Sequence, residues 1–133
     1  MDFKAQLQEM RNYGGQALTV GLADEVIERF ARDYPDLPRA INEAYQQHVK
    51  LRANYDALLK ADEIDTIHQL QAGYVNFYAD DAINPYITLA ACGPWIITAK
   101  GAVLHDSGGY GMLGLGHAPD VILAAMAQPH VMA

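Results

Sequence analysis

The residues with the greatest capacity for chemistry lie in one stretch, Gly108–Asp120, read as GGYGMLGLGHAPD, with His105 just ahead of it and His117 near its end. Glycines at that density leave little side chain to pack and let backbone approach a ligand or a second subunit closely. A formal G-x-G-x-x-G runs through Gly109, Gly111 and Gly114. In a dinucleotide fold the last of those glycines would already be helical, and a parallel strand and an acidic residue about twenty positions on would follow. Here the helix waits for Ala118–Pro119–Asp120 and that context is missing, so the nucleotide reading is set aside. His105 sits in an alternating strand pattern and His117 at a helix entry. Both are read as structural before they are read as catalytic, although histidine as a residue type suits proton transfer.

The other reactive groups are dispersed. His48 and His68 fall on different predicted helices with no close partner and no H-E-x-x-H arrangement, which argues against a metal site. Cys92 is the single cysteine, so a disulfide framework or multi-thiolate centre is excluded, and a small buried thiol in a reducing compartment is the economical reading. Of the lysines, Lys4, Lys50 and Lys60 lie on predicted charged helix faces and Lys100 in a hairpin turn, without any visible burial that would lower a lysine pKa. Tyr45, Tyr55, Tyr74, Phe77, Tyr78 and Tyr86 recur at helical spacing and read as core or interface packing rather than a ligand box.

The elements that must position these residues are mainly helical. Phe3, Leu7 and Met10 define a first helix over about 2–13, stopped by Gly14–Gly15. Val26, Ile27, Phe30 and Tyr34 mark a second that runs to Pro35. A long third helix follows Asp36 to about Lys60, with Ile41, Tyr45, His48, Tyr55 and Leu59 on one stripe. Asp62–Asp65 restarts a fourth, whose apolar face is Ile64, Ile67, Leu70, Tyr74, Phe77 and Tyr78. After the apolar run Ile87–Cys92 and the turn Gly93–Pro94, the strands Trp95–Thr98 and Ala102–Asp106 form an antiparallel hairpin around Lys100–Gly101. Such a hairpin needs a surface to rest on. The last helix, Pro119–Gln128, is apolar all round and expects burial on nearly every side. The fold class is therefore α+β: a helical region over 1–85, then hairpin, glycine-rich loop and helix over 86–133.

A chain of 133 residues with 51% hydrophobic and 19% charged residues forms a core. Its net charge of −7 disfavours nucleic acid and anionic membranes as partners. MDFKAQLQEMRNY lacks the apolar centre of a signal peptide and no apolar run reaches spanning length, which places the chain as soluble and cytoplasmic.

Val103–Gly111, Leu113, Leu115–Gly116–His117 and the helix Pro119–Met126, together with the hairpin Trp95–Asp106 and its Lys100–Gly101 turn, resemble the N-terminal part of class III (omega, ornithine/4-aminobutyrate type) aminotransferases. The resemblance covers roughly residues 93–133; many members carry a further turn and strand before the aspartate, and this sequence is shorter there. It implies the start of a fold type I pyridoxal-phosphate enzyme, a homodimer that moves an amino group from an amine or amino acid to a 2-oxo acid. Carried over by position, Tyr110, Gly111, Met112 and Leu113 become substrate-facing candidates beside the dimer interface. No residue here can be assigned as the Schiff-base lysine, the acidic partner of the pyridine nitrogen or the phosphate cup, so pyridoxal phosphate is expected in an intact parent and not on this segment alone. An all-round apolar last helix and a lone hairpin at the edge of the chain suggest pieces of a larger body that would cover them. The competing reading is a non-catalytic helical interaction or oligomerisation module.

Overall fold

The computed structural model describes residues 2–75, 79, 81–107 and 114–129. Along them run α1 (Phe3–Arg11), α2 (Asp24–Asp33), α3 (Asp36–Lys60), α4 (Glu63–Gln71), β1 (Thr88–Cys92), β2 (Trp95–Thr98), β3 (Val103–His105) and α5 (Asp120–Met126). The class is α+β, with the N-terminal half mainly helical.

The spine is α3, which packs against β1, β2, α1 and α2. Leu37, Ala40, Ile41, Ala44 and His48 recur at three- and four-residue spacing and are all buried, the stripe that an amphipathic helix turns toward a core. Leu7 and Met10 of α1 and Ile27 of α2 join the same cluster, and Cys92, Trp95, Ile97 and Val103 enter it from the strands. Each fully buried aliphatic side chain contributes about 1.5–3 kcal/mol through removal from water. Helix and sheet thus share one apolar centre. The second helix stops at Asp33 because Tyr34, held extended ahead of Pro35 (φ −126°, ψ 97°), cannot continue it. Within α3 the helical geometry breaks at Tyr55 (φ −131°, ψ 25°), and Leu59 then returns to the core.

The sheet has three antiparallel strands in the order β1-β2-β3, one more than the hairpin expected from the sequence. The apolar run before Gly93–Pro94 supplies the extra strand: that two-residue turn brings Cys92 opposite Trp95, and Ala91 opposite Ile96. β2 pairs on its other side with β3, Ile97 facing Val103 and Trp95 facing His105. As the central strand, β2 is buried at all four positions, which is why it reads as an unbroken apolar run rather than an alternation.

Two expectations need correction. The fourth helix does not carry Tyr74 on a buried face. It ends at Gln71, ahead of Gly73, and the Gln71 side chain turns away to accept from the Asn84 N–H (3.1 Å) and donate to the Ala82 carbonyl (3.4 Å). Tyr74 is exposed, as is Tyr55 at the break in α3, so neither serves as core; Phe77 and Tyr78 lie outside the described residues. The last helix is not enclosed. No residue of α5 is buried, and Val121 keeps 80% and Met126 63% of its surface in water.

Candidate functional site

The two ends of the glycine-rich run meet at the β1–β2 turn. The Gly93 and Pro94 carbonyls accept from the His117 N–H (2.7 Å) and the Asp106 N–H (2.7 Å), and the Gly93 N–H donates back to the His117 carbonyl (3.0 Å). Gly93 and His117 thereby form an isolated antiparallel bridge. Across the same gap His117 Nε2 lies 2.9 Å from Asp106 Oδ2, a carboxylate–imidazole pair with both side chains about one-third exposed (34% and 37%). Gly116 is required here: its φ is +71°, and a Cβ would come within 2.8 Å of the Gly93 backbone.

The residue after His117, Ala118, has φ +48° and is the one non-glycine residue with positive φ among those described. A left-handed alanine costs about 1 kcal/mol, so its surroundings must hold it. They do so from both sides, through the His117 bridge and through Asp120, whose two carboxylate oxygens each accept from Arg39 at 2.9 Å. The pair keeps the Arg39 guanidinium firmly charged and holds the Asp120 carboxyl below its usual range.

The substrate-facing candidates Tyr110, Gly111, Met112 and Leu113 lie outside the described residues. Of the histidines that flank them, His105 belongs to β3 and sets its ring edge-on to Trp95 with centroids 5.0 Å apart. The His117 ring, read from the sequence as structural, lies against the Asp106 carboxylate. Asp106 and His117 were each visible in the sequence beside the run. Their eleven-residue separation gives no periodic signal, and only the turn at Gly93–Pro94 brings them together.

Lys100 also differs from expectation. It is 5% exposed, and its Nζ donates to the carbonyls of Gly14 (2.7 Å), Leu59 (2.8 Å) and Ala61 (2.6 Å). Burial pushes its pKa down, while Glu63 and Asp62 pull it up. The ammonium caps the C-terminal carbonyls of α3, as a cation near that end of a helix dipole should. With every N–H committed, Lys100 does not fit the role of a Schiff-base lysine. Lys4 pairs with Glu28 (2.6 Å) and Lys60 with Asp56 (2.8 Å), and Lys50 is exposed on α3.

A second polar cluster joins α1 to α3. Tyr45 donates to Glu9 (2.8 Å), Arg52 pairs with Glu9 (2.7 Å) and lies 4.4 Å over the Tyr13 ring, and Tyr13 donates to Asp56. Arg52 Nε also donates to Nδ1 of the fully buried His48 (3.2 Å), whose Nε2 has no partner among the described residues. Burial first, then the neighbouring Arg52 charge, lowers the His48 pKa from 6.5 to about 4. His48 is thus a neutral core residue. His68 is exposed on α4, and among the described residues no three His, Cys, Asp or Glu side chains come together as metal ligands. Cys92 is buried, and burial ahead of the Asp36 charge raises its thiol pKa, so it is not an activated nucleophile. The His48/Arg52 and Asp56/Lys60 contacts were available in the sequence as i, i+4 pairs on one helix.

An apolar groove of about 330 Å³ lies between α3, α4 and β1, lined by Leu51, Tyr55, Leu58, Leu70 and Leu89, with Thr66 and Lys100 among its polar members. Thr66 already donates to the Leu58 and Asp62 carbonyls and Lys100 is committed as above, so neither is left to orient a ligand. No helix among the described residues is long and apolar enough to cross a membrane. The chain matches no family model, no curated protein and no solved structure.

Proposed function

We propose that this chain is the N-terminal part of a class III pyridoxal-phosphate-dependent aminotransferase, a cytoplasmic homodimer that transfers an amino group from an amine or amino acid to a 2-oxo acid. The segment by itself is inactive, and the residues that hold the cofactor come from elsewhere in the polypeptide. One observation carries the reading. The Gly93–His117 bridge stands at the entry to α5, a helix with an apolar surface that nothing among the described residues covers. A helix that is apolar beyond its first residue, Asp120, and that among the described residues is tied at its N-terminal end, is suited to being enclosed by a larger body. In this reading Tyr110, Gly111, Met112 and Leu113 face the substrate.

The test is to purify the product of the complete reading frame that contains this chain and to supply pyridoxal phosphate and borohydride. Stoichiometric reduction onto a lysine outside residues 1–133, and a cofactor absorption change that an amine donor produces and a 2-oxo acid reverses, support the reading. No uptake, or reduction onto Lys100, sinks it. The same exposed α5 also favours a non-catalytic helical interaction module. Light scattering on the 1–133 chain addresses it: concentration-dependent association into a defined oligomer, together with no cofactor uptake by the complete product, replaces the enzyme with the module.

A further inference from the structure

We propose that the apolar groove between α3, α4 and β1 receives α5 of a second copy of this chain, and that two copies exchange these helices about a two-fold axis. The groove is lined by Leu51, Tyr55, Leu58, Leu70 and Leu89 and encloses about 330 Å³. Its polar members, Thr66 and Lys100, are already committed to backbone carbonyls, so neither opposes an uncharged occupant. The helix matches the groove in chemistry. Val121, Ile122, Leu123 and Met126 are all exposed, and the one charge of α5, on Asp120, is taken up by Arg39. An apolar helix laid into an apolar groove is a recurrent mode of recognition, because both surfaces leave water and no polar group is stranded.

A second copy is the occupant because one chain carries both halves of the contact, too far apart to meet within one molecule. Asp120 fixes the start of α5 beside Arg39, whereas Leu51 and Leu58 lie roughly 18 and 28 Å further along α3 at a rise of about 1.5 Å per residue. Seven helical residues span only about 10 Å, so α5 does not extend to its own groove. Area decides between one-way docking and exchange. The four exposed side chains leave roughly 450 Å² in water; a groove that covers half of that surface buries about as much over the two partners together, and exchange doubles it to about 900 Å², close to the roughly 1,000 Å² at which specific interfaces begin. One-way docking stays in the range of incidental contacts and leaves a free helix and a free groove to grow an open chain, which a two-fold exchange closes. A dimer of that area is weak, with a dissociation constant on the order of 10–100 μM. In the complete enzyme the exchange rests on the aminotransferase reading, as the part of the enclosing body that the second subunit supplies. In the 1–133 chain it rests on the geometry alone.

Sedimentation equilibrium of the 1–133 chain should show a monomer at a few micromolar and a dimer at several hundred micromolar. Met126→Lys in α5 and Leu70→Glu in the groove, both at exposed positions, should each weaken association about tenfold or more while the far-UV circular dichroism spectrum stays as it was. Mixed in equal amounts, the two variants should associate more tightly than either alone, since the mixed pair keeps one contact unaltered and sets opposite charges across the other. Asp120→Ala, which frees the entry of α5 and lets so short a helix melt, should lose the dimer as well. A chain that stays monomeric at several hundred micromolar overturns the exchange, and that result needs no variant to fold. Open-ended growth with concentration, a dimer that neither substitution weakens, or a mixture no tighter than its components overturns it equally. Pyridoxal phosphate uptake by the complete product decides the aminotransferase reading separately, so failure of one leaves the other standing.

Discussion

The Nζ of Lys100 lies 2.6 Å from the carbonyl oxygen of Ala61, and this bond, with those to Leu59 and Gly14, ties the tip of the β2–β3 hairpin to the end of the longest helix. A buried ammonium meeting three carbonyls compensates its desolvation and also satisfies the orphan acceptors of the last turn of α3. Replacing it with methionine keeps most of the volume and strands those acceptors. Lys100→Met should lower stability by about 3 kcal/mol. Urea denaturation followed by the Trp95 signal reads this directly; an unshifted midpoint would show that water replaces the ammonium without loss.

Gly15 sits at the same junction and gives a sharper prediction. Its φ is +66°, and a Cβ built there would stand 1.9 Å from the Ala61 carbonyl oxygen and 2.7 Å from Lys100 Nζ. The obstacle is backbone as well as a committed side chain, so local relaxation is costly. Gly15→Ala should destabilise the chain by more than about 3 kcal/mol and by more than Lys100→Met, because it combines a left-handed penalty with a clash. A variant as stable as the parent would place this junction wrongly.

These two residues show where sequence reasoning stops. The bounds of β2 were legible because Gly93–Pro94 and Lys100–Gly101 punctuate an apolar run, and the extent of α3 was legible from Pro35 and its stripe of Ile41, Tyr45, His48, Tyr55 and Leu59, of which Ile41, His48 and Leu59 are buried. The surroundings of Lys100 were not, because turn position predicts exposure and only the meeting of the hairpin tip with the end of α3, some forty residues earlier in the chain, buries it. The end of α4 was missed for a related reason. Tyr74 continues the apolar period, but Gly73 weakens the helix and the Gln71 side chain bonds to the returning chain at Ala82 and Asn84. In the candidate site both Asp106 and His117 were noticed one at a time. Their pairing depends on a turn between β1 and β2, and β1 itself was read only as an apolar run.

His48 sets the acid limit of the fold. Its ordinary pKa is 6.5 and its folded value is about 4. Above pH 6.5 it is neutral in both states and has no effect on the balance. As pH falls from 6.5 to about 4 the unfolded chain takes up a proton that the folded chain refuses, so stability falls across that window, by roughly 3 kcal/mol in all. Glu9, Asp56 and Asp120 have carboxyl pKa values held below their ordinary 4.5, 3.8 and 3.8, so the stability they contribute is lost at lower pH still. Urea midpoints measured between pH 7 and pH 4.5 should therefore decline in the parent chain and stay much flatter in His48→Gln. Parallel declines in the two would assign the acid sensitivity to another group.

Asp120 and Arg39 provide the side-chain attachment of α5. The two bonds join the first residue of the helix to the first turns of α3, and both partners are largely exposed. A seven-residue helix has too little internal bonding to persist in water unaided, so what keeps α5 ordered is its fixed entry: the His117 bridge, the constrained Ala118 and this pair. Removing the carboxylate should melt α5 and leave the core as it was, since an exposed ion pair contributes little to global stability. In Asp120→Ala, the amides of Leu123 and Ala127, which donate to the Pro119 and Leu123 carbonyls, should exchange at nearly unfolded rates while Ile97 keeps its protection and the urea midpoint barely moves. Retained protection at Leu123 and Ala127 would mean that the helix is held by its apolar side chains after all, a result incompatible with the exposure of Val121, Ile122, Leu123 and Met126.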